Sequence, residues 1–318
     1  MPPGRLETHQ AGDRRAGLPT YALVTAARNE AVFIERTIRS VASQTVKPVK
    51  WVIASDGSTD GTDEILERYA SRYGWIEPLR MPERRDRHFG GKASALRAAY
   101  DRLKGRDFEI IGNVDADVSF DPGYFEYLLE KFAQDSGLGV AGTPFREGTA
   151  QYDYRFSRKE HVSGACQLFR RPCFEAVGGY VPRKEGGIDL VAVVTARMKG
   201  WRTETFTDRA YEHLRPMGKA GPHYLKYTFQ SGYGDYVLGV HPVWQLLRSV
   251  YQMRGRPIFV SGFLLLAGYC WAVITRPPRP VSREFVRFRG GEQMRWLRGY
   301  ANRMVPRILR GRRSGATR

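Results

Sequence analysis

The hydrophobic positions along the first two thirds of the chain follow two alternating periodicities. Short apolar runs of strand length are separated by stretches in which apolar residues recur at helical spacing, as Ile34, Ile38 and Val41 do within 31–43. The predicted strands are YALVTA (21–26), VKWVIA (49–54), 76–81 and 108–112, and further helices are predicted around Ile65, Leu66 and Tyr69 and over 92–104. Strands that alternate with helices are typical of a mostly parallel sheet with helices on both faces, so we predict an α/β fold.

Acidic residues follow three of these strands at the points where the strands end. Glu30 follows the first strand in RNE (28–30), Asp56 follows the second, and Asp115 and Asp117 lie in the run IIGNVDADV (110–118). The carboxyl ends of parallel strands meet at one edge of a sheet, and ligands of open α/β folds bind there. The sequence therefore predicts an acidic edge that faces a ligand.

Two interpretations of this acidic edge remain open from the residues alone. The carboxylates can cap turns, and Asp60 in DGSTDGT can be the N-cap of the helix that follows. Alternatively, they hold Mg²⁺ or Mn²⁺, which allows a diphosphate to bind beside carboxylates that otherwise repel it. The ordered set of three acidic strand ends favours the second interpretation.

The composition indicates a folded protein with anionic partners. The chain has 318 residues, of which 42% are hydrophobic, and 51 Lys and Arg against 33 Asp and Glu give a net charge of +18. Residues 276–318 contain 13 Arg and 2 Glu, so the excess is concentrated there. The three cysteines form no CxxC pair, which is typical of a reducing compartment. Residues 1–19 are polar, without the apolar segment of a signal peptide, and are predicted to be a flexible tail.

Seven segments of the chain occur in a characteristic order. They are VTAARNE (24–30), SDGSTDGT (55–62), GGKASALRAA (90–99), DAD (115–117), GACQLFRR (164–171), VGGY (177–180) and IDLVAVVTARMKGW (188–201). This set, within 21–213, resembles the inverting family-2 glycosyltransferases of bacterial surface-glycan type, which have the Rossmann-like GT-A fold. The resemblance implies a GT-A domain over 20–215 that transfers one sugar from a nucleotide-diphosphate sugar to an acceptor with inversion.

The resemblance also implies roles for the residues of the acidic edge. The implied donor-binding residues are Ala27, Arg28, Glu30, Asp56, Lys92 and Asp115. Glu30 and Asp56 would contact the base and ribose of the nucleotide sugar, and Lys92 would approach its phosphates. Asp117 would hold Mn²⁺ or Mg²⁺ on the diphosphate, where the cation would offset the charge of the leaving group. His213 follows the last core strand, where related enzymes bring a His to the metal or diphosphate.

The catalytic base implied by the resemblance is Asp189, which would remove the proton of the acceptor hydroxyl. The family pattern has a Glu-Asp pair at this point, and this chain has Ile188 in place of the Glu, so that Glu185 is the nearest substitute. A structural alternative stays open, because Asp189 can instead cap a helix over 190–199.

The region 216–318 changes character and is predicted to be helical, basic and membrane-associated. Residues 258–274 (IFVSGFLLLAGYCWAVI) carry no charge and are flanked on both sides by arginines. This run can be a short tilted or re-entrant membrane helix, a helix in the bilayer interface, or a buried helix of a soluble subdomain. We expect the chain to lie at the cytoplasmic face of the membrane and to act on a lipid-linked or glycan acceptor, in cell-surface polysaccharide or glycolipid synthesis.

Two other classes of protein fit the sequence less well. A nucleic-acid-binding protein would use the positive charge, but the chain has no aromatic stacking ladder or helix-turn-helix pattern, so no nucleic-acid partner is expected. A nucleotidyltransferase would need a Gly-rich activating loop after the first strand, and we find none. The segment QMRW (293–296) is similar to the QxxRW motif of processive synthases but is one residue short, so transfer of a single sugar is expected.

Overall fold

The computed structural model describes residues 17–82, 89–147, 150–151, 158–183, 186–215, 224–254 and 258–313. The chain forms two compact units, Met1–Met217 and Gly218–Arg318. The first unit carries the strands and the second is helical.

The first unit contains two sheets and six helices among its described residues. Its strands are β1 (Tyr21–Ala27), β2 (Lys50–Asp56), β3 (Ile76–Met81), β4 (Ile110–Val114), β5 (Val118–Ser119), β6 (Leu138–Gly142), β7 (Phe145–Glu147), β8 (Ala150–Gln151), β9 (Cys166–Arg170), β10 (Arg202–Thr205) and β11 (Tyr211–His213). Its helices are α1 (Ile34–Ala42), α2 (Thr62–Arg72), α3 (Phe89–Asp101), α4 (Tyr124–Gln134), α5 (Arg171–Val177) and α6 (Ile188–Met198).

The main sheet has seven strands in the order β10-β6-β9-β4-β1-β2-β3. Strand β1 pairs in parallel with β2 and β4, β2 pairs in parallel with β3, and β6 pairs in parallel with β10. Strand β9 is antiparallel to β4 and β6, which the sequence pattern did not predict. The predicted mostly parallel α/β sheet is therefore confirmed.

The sheet is covered on both faces, as the alternation of side chains along β1 illustrates. Tyr21 and Leu23 belong to a buried cluster that includes residues of α1, α2 and α4, whereas Ala22 and Val24 belong to a second cluster with residues of α3, α5 and α6. Successive side chains of a strand point to opposite faces, so each face of the central strand buries its own core. This double cover fixes the central strands whose carboxyl ends form the acidic edge.

A second sheet of four short strands, β5-β11-β7-β8, adjoins the end of β4. Strand β5 begins immediately after Asp117 and pairs in antiparallel register with β11, so that His213 is opposite Val118. The backbone N–H of Leu214 also donates to the carbonyl of Asp117 at 2.8 Å. These pairings carry the segment around His213 to the acidic edge.

The second unit contains the helices α7 (Tyr224–Val237), α8 (Pro242–Gln252), α9 (Val260–Thr275) and α10 (Arg283–Arg313). Helices α7 and α9 approach closely at small residues, since a Cβ atom on Gly232 would lie 1.9 Å from the carbonyl oxygen of Leu265. Helix α9 covers most of the predicted apolar run 258–274. Among the described residues, no helix is both long enough and apolar enough to cross a bilayer.

The QMRW segment takes part in the packing of this helical unit. The side chain of Gln293 accepts a hydrogen bond from the backbone N–H of His241 at 2.8 Å. Trp296 packs edge-to-face on Trp244, with ring centroids 5.3 Å apart. Two of its four side chains therefore have internal structural contacts.

Candidate active site

A cavity of about 440 Å³ opens at the carboxyl ends of β1, β2 and β4. Its lining includes all six predicted donor-binding residues and the predicted metal ligand of the DAD motif. The described lining residues are Ala26, Ala27, Arg28, Glu30, Asp56, Lys92, Asp115, Ala116, Asp117 and Arg215. The structure thus brings residues from five separate segments of the sequence to one site.

The loops after β1 and β2 support each other. Asn29 has a left-handed backbone (φ 55°), and its side-chain oxygen accepts from the backbone N–H of Thr59 at 2.9 Å. The carboxylate of Asp60 accepts from the N–H groups of Ala31 and Thr62 at 3.0 and 3.1 Å. Although burial opposes the effect, these hydrogen bonds lower the pKa of Asp60. The alternative in which Asp60 is the helix N-cap is wrong, because Gly61 is the N-cap residue. Asp60 ties the two loops together.

Lys92 and Asp115 form an ion pair inside the cavity. Helix α3 presents Lys92, whose Nζ lies 2.6 Å from Oδ1 of Asp115. Burial lowers the pKa of Lys92, but Asp115, with smaller contributions from Asp189 and Asp117, outweighs it and raises the pKa above its ordinary value. Lys92 is therefore a fixed positive charge at this edge of the sheet.

Arg215 is a second cation of the site and was not identified from the sequence. Its Nη2 forms an ion pair with Oε2 of Glu30, its Nε lies 3.2 Å from Oδ2 of Asp117, and its guanidinium stacks over Phe33 at 5.2 Å. The signal that could have revealed it is its spacing, two residues after His213, because alternate residues of an extended segment lie on the same side. Arg215 bridges two of the acidic strand ends.

The carboxylates of the site are crowded. Burial raises the pKa of Glu30 against the opposing effect of Arg215, and Asp117 and Asp115 raise it further. Burial and the neighbouring Asp115 likewise raise the pKa of Asp117, although His213, Arg215 and Lys92 oppose this. Like charges in a partly buried site disfavour each other's ionisation, so the cavity favours additional positive charge near Asp117.

Asp117 and His213, the predicted metal ligands, lie next to each other. His213 Nε2 is 3.8 Å from Oδ1 of Asp117, and His213 Nδ1 is 2.6 Å from the carbonyl oxygen of Arg215. A carbonyl oxygen only accepts, so Nδ1 donates the hydrogen bond, and in the neutral ring the lone pair on Nε2 faces Asp117. In the described part of the chain, no group of three or more His, Cys, Asp or Glu side chains is arranged to hold a metal.

These two side chains nevertheless fit a divalent cation that is shared with a substrate. Carboxylate oxygen and imidazole nitrogen are suitable ligands for Mn²⁺, and phosphate-bound divalent cations often take one or two protein carboxylates with the remaining ligands from phosphates and water. The guanidinium of Arg215 on Asp117 already shows that a positive group is stable at this position. The donor set is therefore compatible with a cation bound together with a diphosphate.

Asp189, the predicted base, lies in the first turn of α6. The helix begins at Ile188 with Gly187 as its N-cap, so the alternative that Asp189 caps a helix over 190–199 is wrong. A Cβ atom on Gly164 would lie 2.6 Å from Oδ2 of Asp189, so this glycine leaves room for the carboxylate. Asp189 is not among the described residues that line the cavity, but its charge acts on Lys92. Glu185, the substitute for the missing Glu of the family pattern, lies outside the described residues.

Arg170 and Arg171, at the end of the GACQLFRR segment, have structural partners away from the cavity. Arg170 donates to the carbonyl oxygens of Phe132 and Asp135 at 2.7 and 2.9 Å. Arg171 donates to Glu175 at 2.9 Å and stacks over Phe108. These contacts fix neighbouring elements of the sheet.

We expect Arg215→Gln to lower the free energy of unfolding at neutral pH by about 1–2 kcal/mol, because two partly buried carboxylates lose the cation between them. The pKa values of Glu30 and Asp117 should rise further in the variant, so its folded state binds more protons than its unfolded state at mildly acidic pH. Stability then falls as pH rises from about 4 upward, and the deficit relative to wild type should be larger at about pH 8 than at about pH 5. Urea denaturation at both pH values measures this.

The matched control is Arg36→Gln, which breaks an exposed ion pair with Glu212 (Nη2 to Oε2, 2.5 Å). Exposed pairs contribute little, so this variant should stay within about 0.5 kcal/mol of wild type at both pH values. A deficit of Arg215→Gln that shrinks as pH rises would contradict the role assigned to Arg215.

Comparison with known proteins identifies the family. The family described as "Glycosyl transferase family 2" matches residues 22–183. The chain is 33% identical over 129 residues to the chondroitin synthase of Pasteurella multocida (strain Pm70), a match that covers 41% of this chain and 12% of that protein. It is 29% identical over 233 residues to the succinoglycan biosynthesis protein ExoA of Rhizobium meliloti (strain 1021), which covers 65% of each.

Among solved structures, the chain is similar to the mannosyltransferase PcManGT from Pyrobaculum calidifontis, determined in complex with GDP-Man and Mn²⁺. The TM-score is 0.53 at 21% identity, over 81% of this chain and 73% of that one, and this likeness shows a shared fold. The family match covers half of the chain and includes four of the five segments that line the cavity, all except the one that carries Arg215. The chain belongs to glycosyl transferase family 2.

Proposed function

We propose that this protein transfers one sugar from a nucleoside-diphosphate sugar to an acceptor hydroxyl, with inversion at the anomeric carbon. The observation that carries the proposal is the convergence of Glu30, Asp56, Lys92, Asp115 and Asp117 on one cavity of about 440 Å³. Family membership supports the reaction class, and the combination of carboxylates with two cations supports a donor that has both a polar nucleoside and a charged diphosphate.

In this proposal the nucleoside and the diphosphate occupy different parts of the cavity. Glu30 and Asp56, with Ala27 and Arg28 beside them, contact the base and ribose. Lys92 faces the phosphates, and its ion pair with Asp115 weakens as it contacts them. The positive charges matter most as the donor bond breaks, because the departing nucleoside diphosphate gains negative charge in a partly dry site.

A divalent cation would be held by Asp117 and His213 in this proposal. When bound, it offsets the charge of the leaving group. The support for it is the pairing of an imidazole nitrogen with a carboxylate, the crowding that raises the pKa of Asp117, and a solved structure of the same fold that contains Mn²⁺.

Asp189 acts as the base in this proposal. The acceptor oxygen forms a bond to the anomeric carbon on the face opposite to the nucleotide, while the bond from that carbon to the diphosphate oxygen breaks and the electron pair leaves with the nucleotide. The proton of the acceptor hydroxyl passes to the Asp189 carboxylate. Attack from the opposite face inverts the configuration. The position of Asp189 beside Gly164, close enough to influence Lys92, supports this role.

The acceptor in this proposal is lipid-linked or a glycan, at the cytoplasmic face of the cell membrane, in surface-polysaccharide or glycolipid synthesis. Two relatives support this context by their names, a chondroitin synthase and a succinoglycan biosynthesis protein. The chain spans only 12% of the length of the former and 65% of the latter, so it is proposed to share the transferase reaction and not their whole activities.

Donor class and metal dependence are tested together by thermal unfolding with UDP-, GDP- and dTDP-sugars, each with and without Mn²⁺. One nucleotide should raise the melting temperature when Mn²⁺ is present, by the equivalent of about 2.7 kcal/mol at a hundredfold excess over Kd. Asp117→Ala should lose this stabilisation, and Asp121→Ala, which removes an exposed carboxylate four residues later, should keep it. If no nucleotide stabilises the folded wild type, the proposed donor site is wrong.

Replacement of the base should separate chemistry from binding. We expect Asp189→Asn to lower kcat by about 10²–10⁴-fold, because the acceptor hydroxyl loses its proton acceptor, while nucleotide stabilisation stays at the wild-type level. Release of nucleoside diphosphate measures turnover, and Asp101→Asn, at an exposed position on α3, is the control. Turnover of Asp189→Asn within about tenfold of wild type would exclude Asp189 as the base.

A further inference from the structure

The C-terminal helical unit exposes a large amount of apolar surface. In the described part of the chain, fourteen of the seventeen exposed large hydrophobic side chains belong to this unit, which is less than a third of the sequence. Contiguous exposed apolar patches are rare on soluble monomers and mark sites of interaction with proteins or membranes. The distribution therefore indicates a function for this surface.

Helix α8 carries its apolar face on the outside. Four of its side chains follow the i, i+3, i+4, i+7 spacing of a single helical face, and each is between 44% and 50% exposed: Val243, Leu246, Leu247 and Val250. On the other side of the helix, Gln245 and Ser249 are fully buried, and Trp244 is the one apolar side chain of α8 that lies in the buried cluster of this unit. A helix that packs on a core normally buries most of its apolar side chains and exposes its polar ones.

Specific contacts fix this orientation of α8. Arg248 forms an ion pair with Asp235 of α7, and the side-chain amide of Gln245 donates to the carbonyl of Leu265 in α9 at 3.4 Å. Helix α9 also approaches at Gly262, where a Cβ atom would lie 2.2 Å from the carbonyl oxygen of Ser249. Turning the apolar face of α8 inward would break these contacts. The packing of the unit therefore fixes the outward orientation of this face.

Helix α9 has an exposed apolar face of its own. Its buried side contains Leu265, Gly268 and Tyr269. The exposed side continues along the helix with Val260, Phe263, Cys270, Trp271 and Ile274. Exposed Trp side chains are frequent where proteins meet the interface of a bilayer, since the ring has an apolar body and a polar N–H.

The positive charge of this region favours an anionic partner for the exposed apolar faces. Residues 236–318 contain 16 Arg, 2 Glu and no Asp or Lys. One of these arginines, Arg248, is paired with Asp235, and the others leave a large positive excess. A second copy of the chain would bring this same positive surface against itself in a symmetric dimer. Anionic lipid headgroups, by contrast, attract arginines that flank an apolar segment.

We propose that the exposed faces of α8 and α9 form a docking face for an anionic lipid bilayer, in which the apolar stripes enter the headgroup region and the flanking arginines contact lipid phosphates. The sequence pattern pointed to the run that became α9, and the structure adds α8 as a second contact. The inference deepens the proposed function, on which it rests for the location of the acceptor. The docking face itself is independent of the donor site.

Flotation of the full chain with lipid vesicles tests the docking face. The protein should float with phosphatidylcholine vesicles that contain about 30% phosphatidylglycerol, and less with phosphatidylcholine alone. The double variant Leu246→Gln, Val250→Gln changes two half-exposed positions of α8 and should reduce the bound fraction about tenfold. The matched control is Val32→Gln, at a more exposed valine of the first unit, and it should float like wild type.

Cys270 provides a second measurement on α9. It is exposed, whereas the other two cysteines, Cys166 and Cys173, are buried, so an environment-sensitive fluorophore can be attached at this position in the folded protein. Its emission should shift to the blue when anionic vesicles are added. A label that keeps its aqueous spectrum while the protein floats would overturn the assignment of α9 to the docking face.

Four other outcomes are decisive. Equal flotation of wild type and the α8 double variant would overturn the inference. So would a wild type that does not float but forms a dimer that the variant abolishes, because the occupant would then be a second copy. Nucleotide stabilisation measured in the same preparations separates the two proposals: a protein that binds donor but not vesicles refutes the docking face alone, and the reverse result refutes only the proposed function.

Discussion

The site depends on one electrostatic constraint: the strand order of the main sheet gathers carboxylates at one edge, and these need cations to coexist. Lys92 pairs with Asp115, and Arg215 bridges Glu30 and Asp117. Without such partners, burial and mutual repulsion favour the protonated acids. Such a site is suited to a ligand that brings both negative phosphates and a divalent cation. The phosphates can take over Lys92 and Arg215 while the cation takes their place beside the carboxylates.

The fold supplies this arrangement through its topology. Because β1 lies between β2 and β4 in parallel register, the segments that follow all three strands emerge at the same edge. The small second sheet then returns the chain through β11, and its pairing with β5 places His213 and Arg215 beside Asp117. The Asp60 carboxylate ties the loops after β1 and β2 to each other, because it accepts hydrogen bonds from the backbone N–H groups of Ala31 and Thr62.

The strands and helices nearest the amino terminus were predictable because their periodicity is local, and β3 begins and ends where the pattern placed it. Most residues that line the cavity were predictable because each follows a strand or lies in a family motif. Arg215 was not, because its role depends on the antiparallel return of β11, a long-range pairing that local pattern does not encode. The outward stripe of α8 was missed for a related reason: the spacing of Leu246 and Val250 defines a face, but only buried partners such as Gln245 show that this face points outward.

The role of the carboxylates as a cation and diphosphate site is tested by a crystal structure of the protein with Mn²⁺ and either UDP or GDP, measured with anomalous scattering. We predict an anomalous peak between Asp117, His213 and the diphosphate, with the guanidinium of Arg215 moved from Asp117 to the phosphates or to Glu30 alone. A nucleotide-bound structure in which Mn²⁺ lies away from Asp117, or in which Arg215 keeps its contact with Asp117, would contradict it.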